Sequence, residues 1–227
     1  MGITFTHGSS GRLRRFLWQR KGALALVGVL LLGLSACYVP DKFKSEIRLG
    51  PTGDYAIGFW GDLIWAPLYR DIQKHAISDA EIPVKIAEIQ KDLQRDSSFK
   101  KVESEGNGRF KVEYQREGHL AASDMVTFVR RNAIIIQIVA KPDGTVVVNG
   151  HTMKPSEAQA ATTLGLDVQG EFRIIADGMV KEHNASAVKP FGRYQVYIWT
   201  IQNSFSPPPH FVMQREGAWP TKPQEKK

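Results

Sequence analysis

From residue 22 to residue 36 the chain carries no charged side chain, and this apolar stretch ends on its only cysteine, Cys37. Fifteen residues make about 22 Å of helix at 1.5 Å per residue, short of the roughly 20 that span a bilayer comfortably. Arg12, Arg14, Arg15, Arg20 and Lys21 precede the stretch, and no Asp or Glu does. Basic residues stay on the cytoplasmic side while a short apolar run enters a translocon, so residues 1–36 read as a targeting signal and not as part of a fold. Their removal leaves 191 of the 227 residues, enough to bury roughly 70% of the unfolded surface around one core. A single cysteine rules out an intramolecular disulfide and a thiolate zinc cluster.

Leu34-Ser35-Ala36-Cys37 resembles the bacterial lipobox, Leu-small-small-Cys. The resemblance implies that the Cys37 sulfur receives a diacylglycerol, that a dedicated peptidase cuts before it, and that the new amino group is acylated. Two or three chains anchor firmly where one would be marginal. The competing reading is an uncleaved signal anchor with Cys37 as an incidental thiol; both place the rest of the chain outside the cytoplasm. Met1-Gly2-Ile3-Thr4-Phe5-Thr6 fits a myristoylation pattern, but that eukaryotic modification leaves the basic and apolar segments unexplained. Arg14-Arg15-Phe16-Leu17 lacks the residue that a twin-arginine signal places between the pair and Phe. Tyr38 stands where an Asp would resemble an inner-membrane retention signal. The expected location is therefore the cell envelope, lipid-anchored and periplasm-facing, with the outer membrane favoured.

The net charge of +7 invites a nucleic-acid reading, and the distribution removes it. Five of the 30 basic residues lie before Cys37, so the mature part carries 25 Lys and Arg against 23 Asp and Glu. No patch able to neutralise phosphates is visible there, and no nucleic-acid partner is expected.

Along the mature chain, Phe43, Ile47 and Leu49 alternate imperfectly. Gly50-Pro51-Thr52-Gly53-Asp54 makes a turn, and Tyr55, Ile57 and Phe59 resume the alternation as a hairpin. Asp62 is placed to cap a helix carrying Trp65, Leu68, Tyr69 and Ile72 at i, i+3, i+4 and i+7. Ser78 or Asp79 caps a second helix, with Ile82, Ile86, Ile89 and Leu93 on one face. Strand signals then dominate. Turns at 105–108, Lys141-Pro142-Asp143-Gly144 and Asp177-Gly178 separate hairpins, a short helix is expected over Pro155–Thr163, and a long last strand over Arg193–Ile201. The fold class is α+β: one antiparallel twisted sheet with two helices inserted after the first hairpin. The expected boundaries are a signal peptide over 1–36, a short lipid tether over 37–42, one domain over 43–206, and a Pro-rich, polar tail over 207–227.

The pattern Cys37…Pro40-Asp41-Lys42-Phe43, then Gly53-Asp54-Tyr55-Ala56-Ile57-Gly58-Phe59-Trp60-Gly61-Asp62, then Gly106-Asn107-Gly108-Arg109-Phe110, Asp143-Gly144 and Asp177-Gly178 resembles an uncharacterised group of proteobacterial lipoproteins. That group shares a Cys…Pro-x-Lys-Phe start and repeated Asp-Gly hairpins. The ending Asn184…Tyr197-Ile198-Trp199 resembles an α+β domain of mycobacterial lipoproteins thought to bind lipid. Both resemblances rest on turn and strand residues, and neither implies a catalytic residue.

Site chemistry is sparse. His75, His119, His151, His183 and His210 show no His-x-x-x-His or His-Glu spacing, so no metal and no cofactor are expected. No Gly-x-Ser-x-Gly elbow and no phosphate loop occurs. Glu103, Glu105, Glu113 and Glu117 alternate around one hairpin and read as a solvated face. The cluster from Phe59 to Tyr69 is the most unusual stretch. Its simplest reading is core packing of the first helix; the other is an apolar groove or an aromatic edge at the lipid interface, with Trp60, Trp65 and Tyr69 as ligand-binding candidates. The function expected is that of a membrane-anchored, non-enzymatic binding or accessory domain, its partners the membrane through lipid on Cys37 and an envelope protein or apolar ligand. The alternatives are an envelope hydrolase with a site assembled from distant residues, and a structural subunit of an envelope complex.

Overall fold

A computed structural model describes residues 38–130, 133–217 and 219; Cys37 and the signal segment lie outside the described residues. Strand β1 (Tyr38–Leu49) turns through Gly50–Gly53 into β2 (Asp54–Trp65). Two helices follow, α1 (Ala66–Gln73) and α2 (Glu81–Gln94). Next come β3 (Phe99–Gly106), β4 (Arg109–His119), β5 (Met125–Arg130), β6 (Ala133–Ala140) and β7 (Thr145–Gly150). Helix α3 (Pro155–Thr163) leads to β8 (Gly170–Ala176), β9 (Met179–His183), β10 (Ala187–Phe191), β11 (Tyr194–Ile201) and β12 (His210–Gln214). The class is α+β, and two helices do follow the first hairpin.

The strands form two sheets where the hydrophobic pattern predicts one. Seven strands run in the order β10-β11-β8-β1-β2-β4-β3, and five in the order β5-β6-β7-β12-β9. Pairing is antiparallel except between β1 and β8, which run parallel from Phe43/Gly170 to Leu49/Ala176. The two sheets share one core. Phe59 and Tyr114 of the larger sheet meet Phe128 of the smaller at ring-centroid distances of 4.8 and 4.7 Å, and Tyr197 meets Phe211 at 5.0 Å. Val126, Ile138, Val146, Val148 and Met213 are buried in the same cluster as Ile47, Ile57, Phe110 and Phe172. Each sheet thus turns an apolar face toward the other, and face-to-face packing removes both from water at once.

Period-two alternation explains β2. Tyr55, Ile57, Phe59 and Leu63 are buried in the core between the sheets, while Ala56, Gly58, Trp60, Asp62 and Ile64 take the other face. The strand therefore runs three residues past Asp62, which was expected to cap a helix. Trp65 still pairs with Tyr38, and Ile64 with Arg109. The helix begins only at Ala66, with Pro67 in its first turn, where the missing N–H costs nothing. Opposite the bulge between Asp41 and Lys44 sits Gly61, at φ +154°. A Cβ there would come within 2.6 Å of the Phe43 Cα, so only glycine lets the bulged strand close on its neighbour.

Helix α2 matches its pattern: Ile82, Ile86 and Ile89 are half-buried and Leu93 fully buried. The Ser78 hydroxyl and backbone N–H donate to the Glu81 carboxylate at 2.6 and 3.2 Å ahead of the helix. The hairpins turning at 107–108 and 141–144 form as expected.

Three expectations are corrected. Residues 38–42, assigned to a tether, belong to β1, with Tyr38, Val39, Pro40 and Asp41 buried. Asp177-Gly178 makes no hairpin: β8 lies in the larger sheet and β9 in the smaller, so the chain changes sheets there. The tail assigned to 207–227 contains β12, which pairs with both β7 and β9. Beyond it Arg215 donates from Nε to the Thr52 carbonyl at 2.7 Å and stacks over Trp219 at 4.7 Å. The three prolines before β12 end the preceding segment only.

Candidate functional site

The three aromatic candidates do not converge. Trp60 and Trp65 are five residues apart on one strand, an odd separation that sends them to opposite faces. Trp60 lies on the outer face of the seven-stranded sheet and is 41% exposed. Trp65 packs against Tyr38 with ring centroids 4.8 Å apart and planes tilted by 56°, at the end of the sandwich where β1 starts and β2 ends. Tyr69 packs into a separate cluster with Val39, Ile64, Ala66, Ala161, Leu166 and Val168, where α3 covers the outer face of β1 and β2.

Around Trp65 the structure forms a cavity of about 400 Å³. Tyr38, Trp65, Leu68, Ile77 and Ile89 supply its apolar wall, while Lys85, Glu88, Asp92, Arg130 and Asp71 stand at its polar side. Arg130 fixes that side: its Nη1 meets an Asp92 carboxylate oxygen at 2.6 Å, and its Nη2 donates to the Asp92 carbonyl. Burial pushes the Tyr38 hydroxyl up to about 12; the Arg130 charge works against the rise and the Asp92 charge adds to it. The pocket is thus divided between an apolar wall and an ionic side, an arrangement compatible with an amphiphile.

The open part of the outer face forms a second concavity. One stretch, of about 420 Å³, runs over Ala56, Gly58 and Trp60 between Glu46 and Gln115. A second, of about 1030 Å³, continues past Ala56 to Phe191 and Tyr194. Arg48, Ala56 and Glu117 border both, so the two make one trough.

Between this trough and α3 the outer face holds an ionic cluster. Arg109 Nη1 donates to Asp41 Oδ2 and Asp62 Oδ2, each at 2.9 Å, and the Gln169 backbone N–H donates to Asp41 Oδ1 at 3.2 Å. Both aspartates are 4% exposed. Burial opposes the charge on Arg109, but the hydrogen bonds and charges of the two aspartates outweigh it and raise its pKa. The cluster ties β1, β2, β4 and the approach to β8 together. Its members engage one another across the strands, so it is structural chemistry.

The histidines lie apart. His119 contacts Asp54 at 2.8 Å, His210 contacts Asn149 at 2.7 Å, and His183 packs on Tyr197. Among the described residues no group of three or more His, Cys, Asp or Glu is placed to hold a metal ion. Glu103 and Glu105 pair with Lys101 and Lys111 along their hairpin, while Glu117 borders the trough. No run of local pattern in the sequence announces the trough. Its one legible trace was Gly58-x-Trp60, a glycine and a large aromatic two residues apart on the face of a strand whose other face is core.

No family model and no curated protein matches the chain. Among solved structures it is similar to the folded domain of the LppM protein of Mycobacterium tuberculosis, with 9% identity and a TM-score of 0.35. That likeness covers 82% of this chain and 94% of the other.

Proposed function

We propose that this protein is an envelope lipoprotein, held to the membrane by lipid on Cys37, and that its domain acts by binding an acyl chain in the cavity beside Tyr38 and Trp65. The observation that carries the reading is position. Tyr38 is both a wall of the cavity and the residue after Cys37, whose Cα is about 3.8 Å away along the chain. Because β1 starts at Tyr38, no tether separates anchor from fold, and the cavity is held at the lipid surface. The aromatic pair and three aliphatic side chains suit an acyl chain, and the paired ions Arg130–Asp92 and Lys85–Glu88 at the polar side suit a polar head.

The acyl chain has two sources, the protein's own lipid or a membrane lipid. Titrating the Cys37→Ser chain with a series of saturated fatty acids, beside the lipidated protein extracted in detergent, separates them. Binding to the Cys37→Ser chain alone means that the protein's own lipid fills the cavity; binding to both means that a membrane lipid does. In either case Trp65→Ala weakens binding at least tenfold. Failure of the Cys37→Ser chain to bind any of the series overturns the proposal.

A further inference from the structure

We propose that the trough on the outer face of the seven-stranded sheet is a binding site for a neutral glycan, with the indole of Trp60 as its stacking platform.

The platform follows from Gly58. A Cβ on that residue would lie 2.3, 2.7 and 3.2 Å from three carbons of the Trp60 six-membered ring, so the indole leans over the bare strand backbone at Gly58. The residue remains 41% exposed. Glycine inside a strand costs stability, and here its effect is to let a large aromatic lie down on the sheet. An upright tryptophan would offer an edge; a recumbent one offers a face, which is the surface on which the C–H face of a pyranose ring packs. From Trp60 the trough runs along β2 toward Asp54. At about 3.3 Å per residue this is roughly 20 Å, long enough for several linked rings. Phe191, 64% exposed, and Tyr194 stand at the far end.

The polar lining selects the ligand class. Among the described residues the trough is bordered by the cations Arg48, Lys100 and Arg193 and by the anions Glu46, Glu117, Asp54 and Asp177, a mixed set with no excess of cations. Polyanions such as nucleic acids need an excess of cations to displace their counterions. Acyl chains would have to desolvate these ionic groups without offering a hydrogen bond in return. Extended peptides bind sheets by adding to an edge, whereas Trp60 and the run from it to Asp54 lie on β2, interior to the strand order. Sugar hydroxyls both donate and accept, so they satisfy carboxylates and guanidinium groups alike. The pairs Arg48–Glu46 at 2.8 Å and Arg193–Asp177 at 3.0 Å present donor and acceptor side by side, the arrangement that a vicinal diol matches.

The test is calorimetric titration of the purified full chain with neutral tetrasaccharides: β-1,4-linked N-acetylglucosamine, β-1,4-linked glucose and α-1,4-linked glucose, with heparin tetrasaccharide as the anionic control. Binding of at least one neutral tetramer is expected, weakened at least fivefold by Trp60→Ala and within threefold of the parent in Trp60→Phe, with the melting temperature unchanged in both. Fatty-acid binding should be unaffected by Trp60→Ala, which separates this site from the cavity at Trp65. Absence of binding to all three neutral tetramers, binding to heparin alone, or binding that Trp60→Ala leaves intact overturns the proposal.

Discussion

Replacing Arg109 by methionine removes one cation and leaves two carboxylates in a space built for three groups. Asp41 and Asp62 each have 4% of their surface exposed, so water cannot take over the role of the guanidinium. Their Oδ2 atoms both lie 2.9 Å from the same Arg109 nitrogen and are therefore no more than about 6 Å apart. Two like charges at that distance repel by roughly 3 kcal/mol at an effective dielectric of about 20. Measured losses on removing one member of a buried ionic group are about 3–5 kcal/mol, and Arg109→Met should fall in that range at pH 7. Urea unfolding followed by circular dichroism gives the number. The triple variant Asp41→Asn, Asp62→Asn, Arg109→Met, which has no charge to desolvate, should recover most of the loss. A deficit for Arg109→Met below about 1 kcal/mol at pH 7 would refute the reading of the cluster as a desolvated network.

Other consequences are open to equally direct measurement. Truncation after Pro209 deletes β12 from between β7 and β9 and exposes two strand edges with the core beneath them, so the product should be insoluble or lack a cooperative melt. Gly61→Ala places a Cβ 2.6 Å from the Phe43 Cα at φ +154°, and should lower stability by about 2–4 kcal/mol in urea unfolding. For the Tyr38 hydroxyl, raised to about 12 by burial against an unfolded value near 10, the stabilising contribution is complete below pH 10 and is lost as pH rises through 12; Tyr38→Phe should flatten that part of the alkaline stability profile. In the cavity at Trp65, shortening a bound fatty acid by one methylene should weaken binding about fourfold, the equivalent of about 0.8 kcal/mol per buried CH₂, until the chain no longer fills the site.

What was legible in the chain was local, and what was hidden depended on partners distant in sequence. The turn at 107–108, the helix over Pro155–Thr163 and the apolar face of α2 announce themselves within a dozen residues, through Gly at positive φ, Pro at a first helical turn and a 3.6-residue period. The division into two sheets does not. Nothing between Ala176 and Met179 distinguishes a tight reversal from a crossing between layers, because Asp-Gly serves both and the outcome is decided by β12, more than 30 residues later. That strand was itself obscured: His210–Gln214 is five residues long, follows three prolines and has only two buried side chains, Phe211 and Met213. Its place in the sheet comes from filling the gap between β7 and β9, a requirement visible only in three dimensions.

The candidate site illustrates the same limit in one strand. Trp60, Trp65 and Tyr69 were grouped because they are close in sequence and aromatic, and a helix begun at Asp62 would have put Trp65 and Tyr69 on one face. Extension of β2 to Trp65 replaces that helical period by a period of two, and the group disperses to a trough, a cavity and a packed cluster under α3. The extension is held by interactions that no local pattern contains: the Arg109 bridge to Asp62 and Asp41 and the bond from the Trp65 N–H to the Gly108 carbonyl at 2.8 Å. Asp62, a capping residue by its neighbours, is an ion-pair residue by its cross-strand partner. One aspartate's assignment therefore decides whether this chain carries a single aromatic patch or two separate concavities of different lining, and the variants Trp60→Ala and Trp65→Ala, each expected to weaken one proposed ligand and spare the other, are the measurement of that difference.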